Sequence, residues 1–182
     1  VVSRRLFPSL YHRKGFKKLI MLHLALDTFD EKLLRLDHDG VWWYGLEQIP
    51  NERLTSLLNR SLRWNPERLR YVLSEHGREI DFVYDNTALF VVALDELVRP
   101  PPHTPTLLAL LNDGSSEQCT PRSLFRDREG MLYVTVRGTL YARFMRGAYQ
   151  QIVQWLTDET SITWRGIAFE IPLRSPTAER ER

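Results

Sequence analysis

The chain of 182 residues is 43% hydrophobic, 26% charged and 11% aromatic, proportions that supply a packed core and exclude wholesale disorder. Its net charge is +2, yet Arg4, Arg5, Arg13, Lys14, Lys17 and Lys18 fall within the first 26 residues, which hold no acid. The remainder is therefore net acidic, which counts against nucleic acid as the main partner. One cysteine, Cys119, rules out an intrachain disulfide and a zinc site built on cysteine pairs, and is compatible with a reducing cytoplasm.

Residues 1–30 read as a basic N-terminal arm, with a short helix over Gly15–Leu26. Its apolar run Leu19–Leu26 is far shorter than the ~20 residues that span a bilayer. His23 interrupts the run and no small-x-small cleavage site follows it, against a signal peptide. A first α+β subdomain is expected over 31–98. Leu33, Leu34 and Leu36 precede Asp37-His38-Asp39-Gly40, and Val41–Tyr44 follow, which is a hairpin signal. Asn51 is an N-cap for a helix through 52–62, carried by Leu54, Leu57, Leu58 and Leu62 and stopped near Pro66. Strands are expected at Leu69–Ser74, Arg78–Tyr84 and Ala88–Leu94.

Pro100, Pro101, Pro102 and Pro105 make 99–106 a Pro-rich linker that no helix or central strand crosses. A second α+β subdomain is expected over 107–174: a strand Thr106–Leu111, a turn Asn112–Ser116, an irregular lead-in Cys119–Leu124, and strands Met131–Val136 and Thr139–Phe144. A helix follows, with Met145, Ala148, Tyr149, Ile152, Val153 and Leu156 on one 3.6-period stripe. Ser161–Trp164 and Ile167–Leu173 form a closing hairpin, and 175–182 a polar tail. Each half contains a turn ending in glycine, DHDG or DREG, followed by strands and a helix, which points to an internal duplication.

No local motif carries chemistry. The five histidines stand singly without metal-ligand spacing. Asp37 and Asp39 beside His38 are what a Gly-containing turn needs rather than a metal site. No nucleophile elbow, phosphate loop or dinucleotide fingerprint occurs. The one constellation is Arg137, Thr139, Arg143 and Arg146 with Tyr133 and Tyr141, around the entry to the second helix. Guanidinium groups there either hold a carboxylate or phosphate or pair with acids on adjacent strands.

The segment VRGTLYARFMRGAYQQIV (Val136–Val153) resembles the second-half motif of an uncharacterised bacterial family, numbered 1285 among the domains of unknown function. Val136, Arg137, Gly138, Leu140, Ala142, Arg146 and Tyr149 occupy the matching places, while Thr139 and Tyr141 replace a glycine and an acid. His38–Gly45, Ile80–Val92 and Ile162–Leu173 resemble three further stretches in the same order, so the likeness runs from Leu33 to Leu173. The resemblance implies a two-part α+β fold of bent antiparallel sheets, each packed by a helix, similar to pleckstrin-homology domains. It also implies a cytoplasmic binding or signalling role without established enzyme activity.

The expectation is a non-enzymatic module that binds a small anionic ligand or a peptide through Tyr133, Arg137, Thr139, Arg143 and Arg146, with no cofactor, metal or membrane span. Two alternatives stay open. One is an enzyme whose site is assembled from distant carboxylates such as Asp37, Asp39 and Asp81. The other is an oligomerising scaffold that uses its Trp and Tyr residues.

Overall fold

A computed structural model gives the chain's structure and describes residues 34–97 and 106–176. The basic arm, its short helix, nearly all of the Pro-rich stretch and the end of the polar tail lie outside the described residues.

Two stretches of this chain fold the same way. In the first, β1 (Leu34–Leu36) and β2 (Trp42–Tyr44) pair antiparallel, and β3 (Glu47–Gln48) adds to β2. Helix α1 (Glu52–Ser61) follows. Then β4 (Leu62–Asn65), β5 (Arg70–Glu75) and β6 (Arg78–Ile80) build an antiparallel three-stranded sheet. The short β7 (Val83–Tyr84) returns to lie parallel to β1. Next come the antiparallel neighbours β8 (Phe90–Leu97), β9 (Thr106–Leu111) and β10 (Ser116–Cys119).

The second stretch repeats the first. Strands β11 (Leu124–Arg126), β12 (Leu132–Val136) and β13 (Leu140–Phe144) pair in order, followed by α2 (Arg146–Ile152). Another three-stranded sheet follows, built from β14 (Leu156–Asp158), β15 (Ser161–Trp164) and β16 (Ile167–Glu170). Leu173 then bridges in parallel to Arg126, as β7 does to β1. Strand β13 runs parallel to β8, giving a six-stranded sheet in the order β10-β9-β8-β13-β12-β11.

The repeat extends to individual hydrogen bonds. Asp37 Oδ1 accepts from the N–H of Asp39 and of Val41, each at 2.9 Å, and Oδ2 accepts from the Trp43 indole N–H at 2.7 Å. Asp127 Oδ1 accepts from Glu129 and Met131 at 3.0 and 2.9 Å, and Oδ2 from the Tyr133 hydroxyl at 3.1 Å. In both turns the carboxylate replaces water for backbone donors that the tight reversal leaves unpaired. Gly40 at φ +75 and Gly130 at φ +81 close the turns in the left-handed region, where a side chain would be strained. The duplication expected from DHDG and DREG is thus present in the geometry. So is the two-residue turn of each small sheet: His76-Gly77 and Arg165-Gly166 both have positive φ at both positions, the twist-matched hairpin form.

One hydrophobic cluster draws on both repeats and on the strands between them. It contains Leu34, Trp42, Phe82, Phe90, Leu107, Ala142, Ile152 and Trp164. Residues Glu31–Arg182 form one compact unit, and the strands on either side of the Pro-rich stretch, β8 and β9, are paired neighbours in one sheet. The α+β class holds, with sheet dominant and two α-helices among the described residues.

Several boundaries differ from the sequence reading. The second helix does not run to Leu156: α2 stops at Ile152, a 3-10 turn covers Val153–Trp155, and Leu156 opens β14. Only Ala148 and Ile152 of α2 are buried, while Tyr149 and Val153 are 39% and 45% exposed. The stripe therefore does not hold a longer helix on the core. Helix α1 ends at Ser61, ahead of Pro66, because Leu62 turns extended (ψ 128) and enters β4. Arg78–Tyr84 splits at Asp81-Phe82, where the buried Phe82 marks the passage from one sheet to another. Ser116–Cys119 is a strand on the edge of the large sheet rather than a turn and lead-in.

Candidate functional site

Alternation along β13 sends Ala142 and Phe144 into the core and turns Tyr141 and Arg143 to the other face. Register then lines up Phe125, Tyr133, Arg143 and Phe90 as successive partners across β11, β12, β13 and β8. Phe125, Tyr133 and Tyr141 make a second, smaller buried cluster on this face. Phe125 and Tyr133 stack at 5.3 Å.

The connector between β7 and β8 packs over that row. The Thr87 hydroxyl donates to the Tyr141 carbonyl at 2.8 Å, and the Asn86 side chain bonds the Tyr133 hydroxyl. The first turn closes the other side: His38 Nδ1 lies 3.8 Å from Asp85 Oδ2, and Nε2 lies 3.4 Å from Asp39 Oδ2. Gly40 is held where a Cβ would meet the Phe90 ring at 3.4 Å.

Between these parts lies a shallow cleft lined by His38, Asp85, Asn86, Thr87, Phe90, Tyr133 and Arg143. Its free volume is about 10 Å³, near the room that one water molecule occupies.

Arg143 is the arginine of the cleft lining. As a residue it is half-buried, and its guanidinium touches Met131 Sδ, a weak acceptor, at 3.1 Å in a solvent-exposed contact. Among the described residues no carboxylate lies within 4 Å of it. Asp85 lines the same cleft but does not contact the guanidinium, whose planar fork can therefore accept an anion. Tyr133 is fully buried, and burial above all pushes its hydroxyl up to about 12. Its hydroxyl therefore stays protonated and neutral near neutral pH.

The expected constellation divides. Tyr133 and Arg143 are brought together. Arg137 lies six residues along from Arg143, at the far end of β13, an offset of about 20 Å along an extended chain. There it occupies the hairpin turn at φ 49, and its guanidinium bonds Asp113, the Ser115 hydroxyl and Glu117. Arg137 thereby pins the β12–β13 turn to the β9–β10 turn, which is the acid-paired alternative. Thr139 is exposed in the same turn, and Arg146 is exposed at the first position of α2.

Of the carboxylates considered for an assembled enzyme site, Asp37 is taken up by its turn, and Asp81 pairs with Arg68 and Arg70. Among the described residues no group of three His, Cys, Asp or Glu is placed to hold a metal ion, and no helix is long and apolar enough to cross a membrane. Cys119 is buried, and burial first of all raises its thiol to about 12, which leaves little thiolate for reaction.

Asn86, Thr87 and Phe90 carry no local signal in the sequence. They reach the cleft through the parallel pairing of β13 with β8, which joins residues more than fifty positions apart.

No family model and no curated relative matches this chain. Among solved structures it is similar to a DUF1285 family protein from Silicibacter pomeroyi DSS-3, with a TM-score of 0.56 and 17% identity over 79% of this chain and 81% of that one. This chain has the fold of a DUF1285 family protein. A second DUF1285 family protein, from Shewanella baltica OS155, aligns at 17% identity over 67% of this chain and 91% of that one, with a TM-score of 0.49. In this chain the duplicated strand, helix and sheet order brings His38 and Arg143 to one cleft.

Proposed function

We propose that this protein is a non-enzymatic recognition module of the DUF1285 family that binds an anionic group at the Arg143 cleft. The observation that carries the reading is the half-buried residue Arg143, with no described carboxylate within 4 Å of its guanidinium, in a cleft it shares with His38, Asp85, Asn86 and Thr87. Recognition is favoured over bond-making because the convergent groups lack a nucleophile paired with a base, and Tyr133 is held neutral. A regulatory or signalling role in the cytoplasm, and a likeness of each bent sheet and helix to pleckstrin-homology modules, complete the proposal. They are supported by the family resemblance.

A thermal-shift screen of anionic metabolites and acidic peptides tests it. At least one should raise the melting temperature of the wild type, with the rise gone in Arg143→Gln. Equal shifts in wild type and variant, or no shift from any anion, would refute the site. Turnover of any compound by the pure protein would refute the role.

A further inference from the structure

Resting on that reading, we infer that the cleft receives a carboxylate presented by an acidic segment of a partner protein, not a free small anion. Three observations carry this.

The first is size. Pockets that enclose metabolites run to about 300–1,000 Å³, whereas this cleft offers about 10 Å³. It admits the tip of one functional group and leaves the rest of any ligand outside. A free anion would gain little more than one half-exposed ion pair, worth at most a severalfold change in affinity. A tethered carboxylate adds whatever the surface around the cleft contributes.

The second is the surface. Arg128 sits in the turn that leads into Met131, and Arg146 stands three residues beyond Arg143. Both are exposed, and neither has a carboxylate within 4 Å among the described residues. Met131, which touches Arg143, is 38% exposed. Arg128 and Arg146 thus each lie within three residues of one member of this contacting pair along the chain, a spacing that suits a segment carrying several acids.

The third is charge. Asp85 and Asp39 stand beside His38 at the cleft. Each carboxylate there costs an incoming dianion about twice what it costs a monoanion. The flat, singly charged carboxylate also matches the guanidinium fork.

Fluorescence anisotropy with a fluorescein-labelled N-acetyl hexaglutamate peptide at low salt is the test, with glutarate and inorganic phosphate as unlabelled competitors. Saturable binding is expected, weakened about tenfold or more by Arg143→Gln and severalfold by Arg128→Gln or Arg146→Gln. Arg143→Lys, which keeps the charge and loses the fork, should lie between wild type and Arg143→Gln. Thermal melts of each variant establish that it is folded. Glutarate or phosphate up to about 10 mM should leave the peptide bound.

If glutarate or phosphate binds in an Arg143-dependent way as tightly as the peptide, the macromolecular partner is refuted and the small-anion site stands. If peptide, glutarate and phosphate all fail to bind, or bind Arg143→Gln as well as wild type, both readings fall.

Discussion

Asp37 and Asp127 do the same structural task with different partners, and the difference is measurable. Trp43 can only donate through its indole N–H, so Asp37→Asn sets that donor against an amide N–H whenever the other amide atom serves the two backbone donors. Tyr133 can reverse its hydroxyl and accept. Asp37→Asn should therefore cost about 1–3 kcal/mol, and Asp127→Asn clearly less, in chemical denaturation. Equal costs would show that the side-chain donor at the sixth position does not matter.

Acid sensitivity follows from the same residues. For Asp37 burial acts to raise the pKa, but the Val41 N–H, the Trp43 indole and the Asp39 N–H outweigh it, so the carboxyl sits below its ordinary value. Asp113 is likewise lowered: burial raises it, and the Ser115 hydroxyl, Arg137 and the Ser115 N–H prevail. A folded-state pKa below the unfolded one contributes stability that is present above about pH 4 and lost as pH falls through the folded value. Denaturation at a series of pH values should show stability falling on acidification below about pH 4, with a shallower fall in Asp113→Asn. An unchanged slope in that variant would contradict the assignment.

Among elements, what the chain disclosed locally was what local chemistry decides. The Asn51 cap accepts from the N–H of Arg53 and Leu54 at 3.0 and 3.2 Å, and the two glycine turns stand where Asp and Gly demanded them. Asn51→Ala should lower stability by about 1 kcal/mol in a denaturant melt without altering the fold.

The end of α2 was not legible. Tyr149, Val153 and Leu156 continue an apolar period, but whether a stripe is buried depends on what lies across from it, which periodicity does not contain. The site was half legible for the same reason. Arg137 and Arg143 lie in one motif of the chain, yet a strand separates them by its length, and only pairing decided that Arg137 meets Asp113 while Arg143 faces Asn86. Arg137→Ala should accordingly reduce thermal stability and leave anion binding unchanged. Binding lost together with Arg137, in a variant that still melts cooperatively, would return Arg137 to the site.

On the scale of the whole molecule, the duplication supplies two copies of one turn, and β8 to β10 join the copies. Phe90, Leu107 and Ala109 share a core with Leu34 and Trp42 of the first repeat and with Ala142 and Trp164 of the second. That shared core predicts one cooperative transition in calorimetry, with calorimetric and van't Hoff enthalpies equal. Separate fragments ending and starting at the Pro-rich stretch should not fold alone. Two resolved transitions would mean that the repeats are energetically independent.

The cleft is a product of this assembly: His38 comes from the first turn, Asn86 from the connector and Arg143 from the second repeat. The most direct measurement is a nitrogen-15-edited NMR titration of the arginine side chains with N-acetyl hexaglutamate, Arg143 being assigned by the signal that disappears in Arg143→Lys. The account predicts that the Arg143 Nε–Hε resonance shifts saturably while that of Arg137, already bonded to Glu117, stays in place. An Arg143 resonance that does not move across the titration would contradict it.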